Sequence, residues 1–378
     1  MRVPIASPVV GEEECKAVDA VMRSGQLTMG PRVKEFEKKW ADYVGTKHAI
    51  MVNSGSSANL LMMTAYKNTV GKGEVITPAV TWATTVFPIA QVGLKPVLVD
   101  VDHDFNISID AIRKAITDKT RAIFPVHLLG NSARMEEIVE IAEENDLDIL
   151  EDCCEAHGAE VNGFKVGTFG QMGTYSFFMS HHITCGEGGM IVTDNDQFND
   201  MLRSLRVFGW TRDMALGDVL ARQNNLDPRW CFWYPGYNLR PTEMNAAIGL
   251  AQLDRLEFWI AQRRMNAQWF NSNLNLPHQL YLPQERYATR HVYLLYGMMS
   301  PFRRNLTDFL EANGIETRPV ISGNMTLQPA MRKLNYRVSG KLRNAQKIHE
   351  EGFCIGVHPG LNDEQRAFVR QKFTEFFK

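Results

Sequence analysis

Apolar residues fall into two rhythms along this chain. Short runs rich in β-branched residues recur at 48–52 (HAIMV), 74–77 (EVIT), 95–101 (KPVLVDV), 121–126 (RAIFPV) and 148–152 (DILED). Longer stretches with helical spacing, such as SSANLLMMTAYKN and SARMEEIVEIAEEND, lie between them. Strands separated by helices of that length predict a mainly parallel sheet covered by helices on both faces. TYSFF (174–178) and GMIVTD (189–194) extend the strand series. From residue 253 the texture changes. LDRLEFWIAQRRMNAQWFNSNL predicts a long helix, RHVYLLYGMMS and IETRPVI predict strands, and LNDEQRAFVRQKFTEFF predicts a terminal helix. The expected fold is α/β in two parts: a large domain over residues 1–255 and a smaller α+β domain over 256–378. No internal repeat or low-complexity linker interrupts the pattern.

Composition removes several classes of function. The 378 residues are 44% hydrophobic and 22% charged, with a formal net charge of −2. Nothing in that balance points to nucleic acid or an anionic membrane surface. No apolar run approaches the ~20 residues needed to span a bilayer, and the N-terminus turns polar after a few residues. A cytoplasmic protein is expected. Six cysteines are scattered at 15, 153, 154, 185, 231 and 354. They form neither a disulfide framework nor the paired spacing of a zinc site, and the vicinal Cys153-Cys154 reads as a buried reduced pair. An iron–sulfur cluster needs about four closely spaced thiolates, which this chain lacks.

Four short segments carry candidate chemistry. VNSGSSANLL (52–61) joins a strand to a helix through Gly55, with Ser56 and Ser57 at the helix entrance. Free N–H groups there suit a phosphate, and a plain helix cap accounts for the segment equally well. DILEDCCEAHG places Asp152 at the C-terminal end of a strand, where open α/β sheets bind ligands, with Glu155 three residues on. Trp82, in TPAVTWATT, follows another strand end and can stack on a flat cofactor or join the core. SFFMSHHITCGEGG (176–189) sets His181 and His182 between an aromatic run and a glycine-rich turn. A metal site at these two histidines is disfavoured, because adjacent residues rarely chelate one ion and no carboxylate or thiolate pattern completes it.

Together, a phosphate cradle, a strand-end Asp and an aromatic platform suggest pyridoxal phosphate. In this order the motifs resemble the sugar-nucleotide aminotransferase family of fold type I pyridoxal-phosphate enzymes. The resemblance runs from LTMGPRVKEFEKKWADYVGTKHAIMVNSGSSANL through GYNLRPTEMNAAIGLAQLDRL to IETRPVISGN. The family's cofactor lysine precedes the Gly-Glu-Gly-Gly turn. Here that place is held by His181, and no lysine occurs from Phe169 to Arg203. That departure resembles the family's 3-dehydratase branch. A related branch carries an iron–sulfur cluster on cysteines after the RSLR segment. Residues 206–234 hold only Cys231, so no cluster is expected.

The resemblance implies a role for each matching residue. Asp152 would meet the pyridine nitrogen and Trp82 would stack on the ring. Gly55, Ser56, Ser57 and Ser176 would hold the phosphate, with Asn238 reaching in from a neighbouring subunit of a homodimer. Glu155 stands where the aminotransferases commonly have glutamine and the dehydratases an acid. Pyridoxal phosphate would be held noncovalently and converted to pyridoxamine phosphate by an amino donor, expected to be glutamate. The substrate would be a nucleotide-linked 4-keto-6-deoxy sugar. His181 would take a proton from the cofactor's C4′ carbon and assist loss of the C3 hydroxyl, giving a 3-deoxy-4-keto sugar and ammonia. His182 is expected to lend a supporting hydrogen bond, His127 to line the pocket or satisfy the core, and His157 to pack beneath the site. Two alternatives remain: an aminotransferase with another proton shuttle, and a nonenzymatic sugar-nucleotide or cofactor-binding protein.

Overall fold

The computed structural model describes residues 1–7, 10–274, 280–282 and 284–378. Seven strands of the main sheet come from the first half of the chain: β1 (His48–Val52), β2 (Glu74–Pro78), β3 (Lys95–Val99), β4 (Thr120–Ile123), β5 (Asp148–Asp152), β6 (Met172–Ser176) and β7 (Gly189–Thr193). Their spatial order is β1-β7-β6-β5-β4-β2-β3, with β7 antiparallel to both neighbours and the remaining pairings parallel.

Successive side chains of a strand point to opposite faces, and here both faces are apolar. In β1, Ala49 and Met51 enter one core while Ile50 and Val52 enter the other; in β5, Ile149 and Leu150 divide the same way. That double burial explains why these strands read as continuous apolar runs instead of alternating ones. Phe36 and Trp40 cover one face, and Leu61, Met62 and Tyr66 of helix Gly55–Val70 cover the other. Among the described residues no helix is long and apolar enough to cross a membrane.

The C-terminal sheet has three antiparallel strands, with Gly352–Ile355 between Tyr296–Met299 and Thr317–Pro319. Helices Leu256–Asn273 and Asp363–Phe376 contribute to its core. The two parts interlock. Val3 bridges to Ile315 and packs in the C-terminal core, and Arg337–Val338 extends the main sheet beside β3.

Two predicted elements come out differently. The long helix expected over 253–274 begins at Leu256, after a separate helix, Glu243–Leu253. The strand expected over 290–300 is regular only at Thr289–Arg290 and Tyr296–Met299. Between these, Val292 and Leu294 donate their N–H groups to Gly130 and Leu129, and Tyr293 takes a positive φ of 49°. Tertiary partners claim this backbone, so it crosses toward the ends of the parallel strands and leaves the ladder.

Candidate active site

A cavity of about 600 Å³ opens at the C-terminal ends of the parallel strands, where this architecture binds ligands. It gathers Gly55, Ser56, Trp82, Asp152, Glu155, Ser176 and His181 from four separate segments. Ser57 and Asn238 are not on its wall.

The phosphate candidates are organised by the start of helix Gly55–Val70. Ser54 caps it: its Oγ accepts the Ser57 N–H at 3.1 Å and donates to Ser57 Oγ at 3.0 Å. Ser57 is thus committed to the cap, while Ser54, not singled out in the sequence, lines the cavity. Among the described residues the amides of Gly55 and Ser56 have no acceptor. Gly55 is required by close approach, since a Cβ there would lie 2.4 Å from Ser176 Cβ. Two free amides of a first helical turn, pressed against a serine, form a fitting cradle for a phosphate.

Asp152 ends β5, is 3% exposed and is oriented by three donors. Asn59 Nδ2 and Thr85 Oγ1 donate to Oδ2 at 2.9 and 2.8 Å, and the Cys154 N–H donates to Oδ1 at 3.1 Å. Neither Asn59 nor Thr85 was picked out in the sequence. The available signal was spacing: each lies one helical turn beyond a chosen residue, Gly55 or Trp82, and so returns to the same face. Trp82 itself caps helix Ala83–Gln91 and remains 56% exposed, leaving indole surface at the cavity.

Glu155 Oε2 accepts the Leu129 N–H at 2.7 Å and so braces a turn in which Leu129 has φ 56°. Burial, reinforced by the nearby Asp152 charge, pushes its pKa up to about 7. This carboxyl therefore exchanges its proton near neutral pH.

His181 follows β6. Its Nδ1 lies 2.9 Å from the Ser176 carbonyl, and a carbonyl can only accept. The neutral ring therefore carries its proton on Nδ1 and its basic lone pair on Nε2. Burial pushes the pKa down to about 4, opposed by the Ser176 and Cys154 backbone and by Asp152. None of the described residues lining the cavity is a lysine.

The other histidines separate by partner. His182 is 1% exposed, and its Nε2–H donates to the Val292 carbonyl at 3.1 Å. His157 is buried edge-on to Trp40, with its ring 6.0 Å from that of His181. His127 is a core residue: Nδ1 accepts the Ala133 N–H at 3.0 Å, so Nε2–H donates to Glu151 at 3.1 Å. His127, Glu151 and Cys153 converge within 4.8 Å. Glu151 is spent on the amides of Gly167, Phe169 and Gly170, so this cluster is a satisfied structural knot.

Asn238 is exposed on an extended segment bridged to Val207, and its Oδ1 accepts from Arg240 Nε at 3.0 Å.

A free-amide cradle, a carboxylate fixed at a strand end and an open indole fit pyridoxal phosphate in its three parts: phosphate, ring nitrogen and ring face. Comparison with known proteins agrees. The model of the DegT/DnrJ/EryC1/StrS aminotransferase family matches residues 8–374. GDP-4-keto-6-deoxy-D-mannose 3-dehydratase of Yersinia pseudotuberculosis is 40% identical over 368 residues, 94% of each chain. The Escherichia coli GDP-4-keto-6-deoxy-D-mannose 3-dehydratase, solved with bound hydrated PLP, superposes with a TM-score of 0.92 at 36% identity, over 99% of each chain. A further structure of a GDP-4-keto-6-deoxymannose 3-dehydratase, holding a trapped PLP–glutamate geminal diamine, gives a TM-score of 0.91 at 36% identity. It covers 98% of this chain and 100% of that one.

Proposed function

The chain belongs to the DegT/DnrJ/EryC1/StrS aminotransferase family, and within it we propose a site that removes the C3 hydroxyl of a nucleotide-linked sugar. The protein is a PLP-dependent 3-dehydratase of GDP-4-keto-6-deoxy-D-mannose, a step of deoxysugar biosynthesis. The observation that carries this reading is His181: the cavity offers an imidazole whose lone pair is on Nε2 and, among the described residues lining it, no lysine.

The cofactor, when bound, would supply an electron sink and, in its amine form, a nucleophilic nitrogen. The chain's residues do the rest. Gly55, Ser56 and Ser176 would hold the phosphate, Asp152 would hold the ring nitrogen, and Trp82 would cover the ring. His181 is neutral at physiological pH and accepts a proton on Nε2. Its low pKa makes the imidazolium a strong acid, suited to protonating the departing C3 hydroxyl. Glu155 adds a second proton-exchanging group on the same wall. Glutamate is the proposed amino donor, and Arg318 on the cavity wall offers a cation for its carboxylate or the substrate's phosphates.

Incubation with pyridoxal phosphate, glutamate and a panel of GDP-, CDP- and TDP-linked 4-ketosugars, followed by mass spectrometry, tests this reading. The expected products are ammonia and a 3-deoxy-4-keto sugar, with turnover of the GDP substrate. An amino sugar that keeps its C3 oxygen would make the protein an aminotransferase, and no turnover of any ketosugar would leave a binding protein.

The site is further proposed to be shared within a homodimer, with Asn238 crossing to the partner's phosphate cradle. Its exposure and its absence from the lining of its own subunit's cavity support this. So does the unburied aromatic surface around it, where Trp210 stacks against Trp230 and Phe232 and where Phe208 and Trp233 are also exposed. Mixing inactive His181→Asn protein with inactive Asn238→Ala protein should restore partial turnover, because exchanged dimers regain one intact site. Exchange demonstrated by mass labelling without any recovery would rule out the shared site.

A further inference from the structure

Behind the cavity wall lies a cation that pairs with no carboxylate among the described residues. Arg263, on helix Leu256–Asn273, is 2% exposed. Its neighbour Arg264 pairs with Glu285 at 2.7 Å. Arg263 instead gives Nη1 to two successive main-chain carbonyls, Tyr293 at 3.2 Å and Leu294 at 2.8 Å, and its Nε has no partner among the described residues. Burying a charge unpaired is costly, so a residue needed only for packing would be better served by an apolar side chain.

The carbonyls it grips belong to the segment that leaves the strand ladder to form the cavity wall. Val292 is held by His182, Tyr293 and Leu294 by Arg263, and Leu294 and Leu295 face the cavity. His157 completes this buried tier, 5.4 Å from the His182 ring and 6.0 Å from the His181 ring. Both His157 nitrogens and His182 Nδ1 are unpaired among the described residues.

We propose that Arg263 is a positioning residue for the reaction, fixing the Val292–Leu295 wall and the histidine tier so that His181 meets the cavity as a free base. The inference rests on the reading of His181 as that base. Its electrostatic sign agrees. After burial, the Arg263 charge is what presses His182 below the ordinary imidazole value; it also opposes protonation of His157, His181 and His358. The groups pulling His181 the other way are Asp152 and the backbone of Ser176 and Cys154.

The test compares Arg263→Gln with Arg263→Lys in the full chain, verified as folded by thermal melting. Histidine ring nitrogens are titrated by NMR in cofactor-free protein, with His181→Asn identifying the resonance, and turnover is measured between pH 4 and 8. Loss of the cation should raise the His181 midpoint by roughly half a unit or more. The acid limb of turnover should move up with it: a half-unit rise from about 4 halves the free-base fraction at pH 4, so Arg263→Gln should lose about twofold more activity at pH 4 than at pH 8. Arg263→Lys should restore the midpoint while recovering turnover only in part, because the shorter lysine stem does not bring its ammonium to the place from which Nη1 serves both carbonyls. A folded Arg263→Gln protein with an unchanged midpoint and a uniform loss at every pH would make Arg263 merely structural and overturn the proposal. If Arg263→Gln does not fold, an unchanged kcat in Arg263→Lys overturns it. The midpoint is read without turnover, so failure of the base assignment would show separately, as full activity in His181→Asn.

Discussion

Replacing His181 with asparagine is expected to slow dehydration by about 10²–10⁴-fold, the usual worth of a positioned general base. The asparagine amide can still donate to the Ser176 carbonyl that His181 now holds at 2.9 Å, so the local backbone has no reason to move. What disappears is the basic Nε2. Gly55, Ser56, Trp82, Asp152 and Ser176 are untouched, so cofactor binding, followed by absorbance, should be largely retained. The pH profile supplies an independent check. With its pKa held down to about 4 by burial, His181 stays in the base form as the pH falls from 7 toward 5. The wild type should therefore lose no turnover to His181 protonation until the pH approaches that value. His181→Lys should make the cofactor covalently trappable by borohydride, which the wild type should not be, and should lower dehydration. Wild-type speed in the asparagine variant, or wild-type cofactor attached to some other lysine, would place the base elsewhere.

Asp152→Asn should reduce turnover by about 10²–10³-fold, the typical loss when a preorganised electrostatic contact is removed. A neutral amide does not stabilise a protonated ring nitrogen as a carboxylate does. The hydrogen bonds add a second cost. Asn59 and Thr85 both donate to Oδ2, and Cys154 donates to Oδ1. An asparagine has one acceptor end, so either orientation turns an NH₂ group toward a donor. Asn59 is itself fixed by accepting from Thr174 at 2.6 Å, whereas Thr85 can redirect its hydroxyl to Thr81, 2.8 Å away. One hydrogen bond is then lost, for about 1–2 kcal/mol of stability. Thermal melting should show a folded, slightly weakened protein beside a near-absent rate. Full activity in that purified variant would mean that Asp152 has been assigned the wrong role.

Much of this was legible from spacing. HAIMV and DILED are strands over the predicted residues, because runs buried on both faces of a parallel sheet must be continuously apolar. Asp152, Trp82 and the SGSS entrance could be found because each follows a predicted strand end, and strand ends on one edge of such a sheet converge. That His181 stands where the family has lysine is a one-dimensional fact, and the proposed dehydration rests on it.

The remainder needed the folded chain. Ser54 and Ser57 are chemically alike, and only the capping geometry assigns one to the cavity and the other to the helix. Asn59 and Thr85 gained their role when two helices set them against the same carboxylate. The 291–295 segment has strand-like composition, yet the carbonyls of Val292, Tyr293 and Leu294 go to His182 and Arg263. Local preference is worth tenths of a kcal/mol per residue, less than satisfying buried polar groups. Burial also moved Glu155 and His181 in opposite directions, to about 7 and about 4. Sequence determines which chemical groups the chain carries and the period at which they recur. Which of them meet, and how far water is kept from them, depends on residues distant along the chain, so only the tertiary structure decides it.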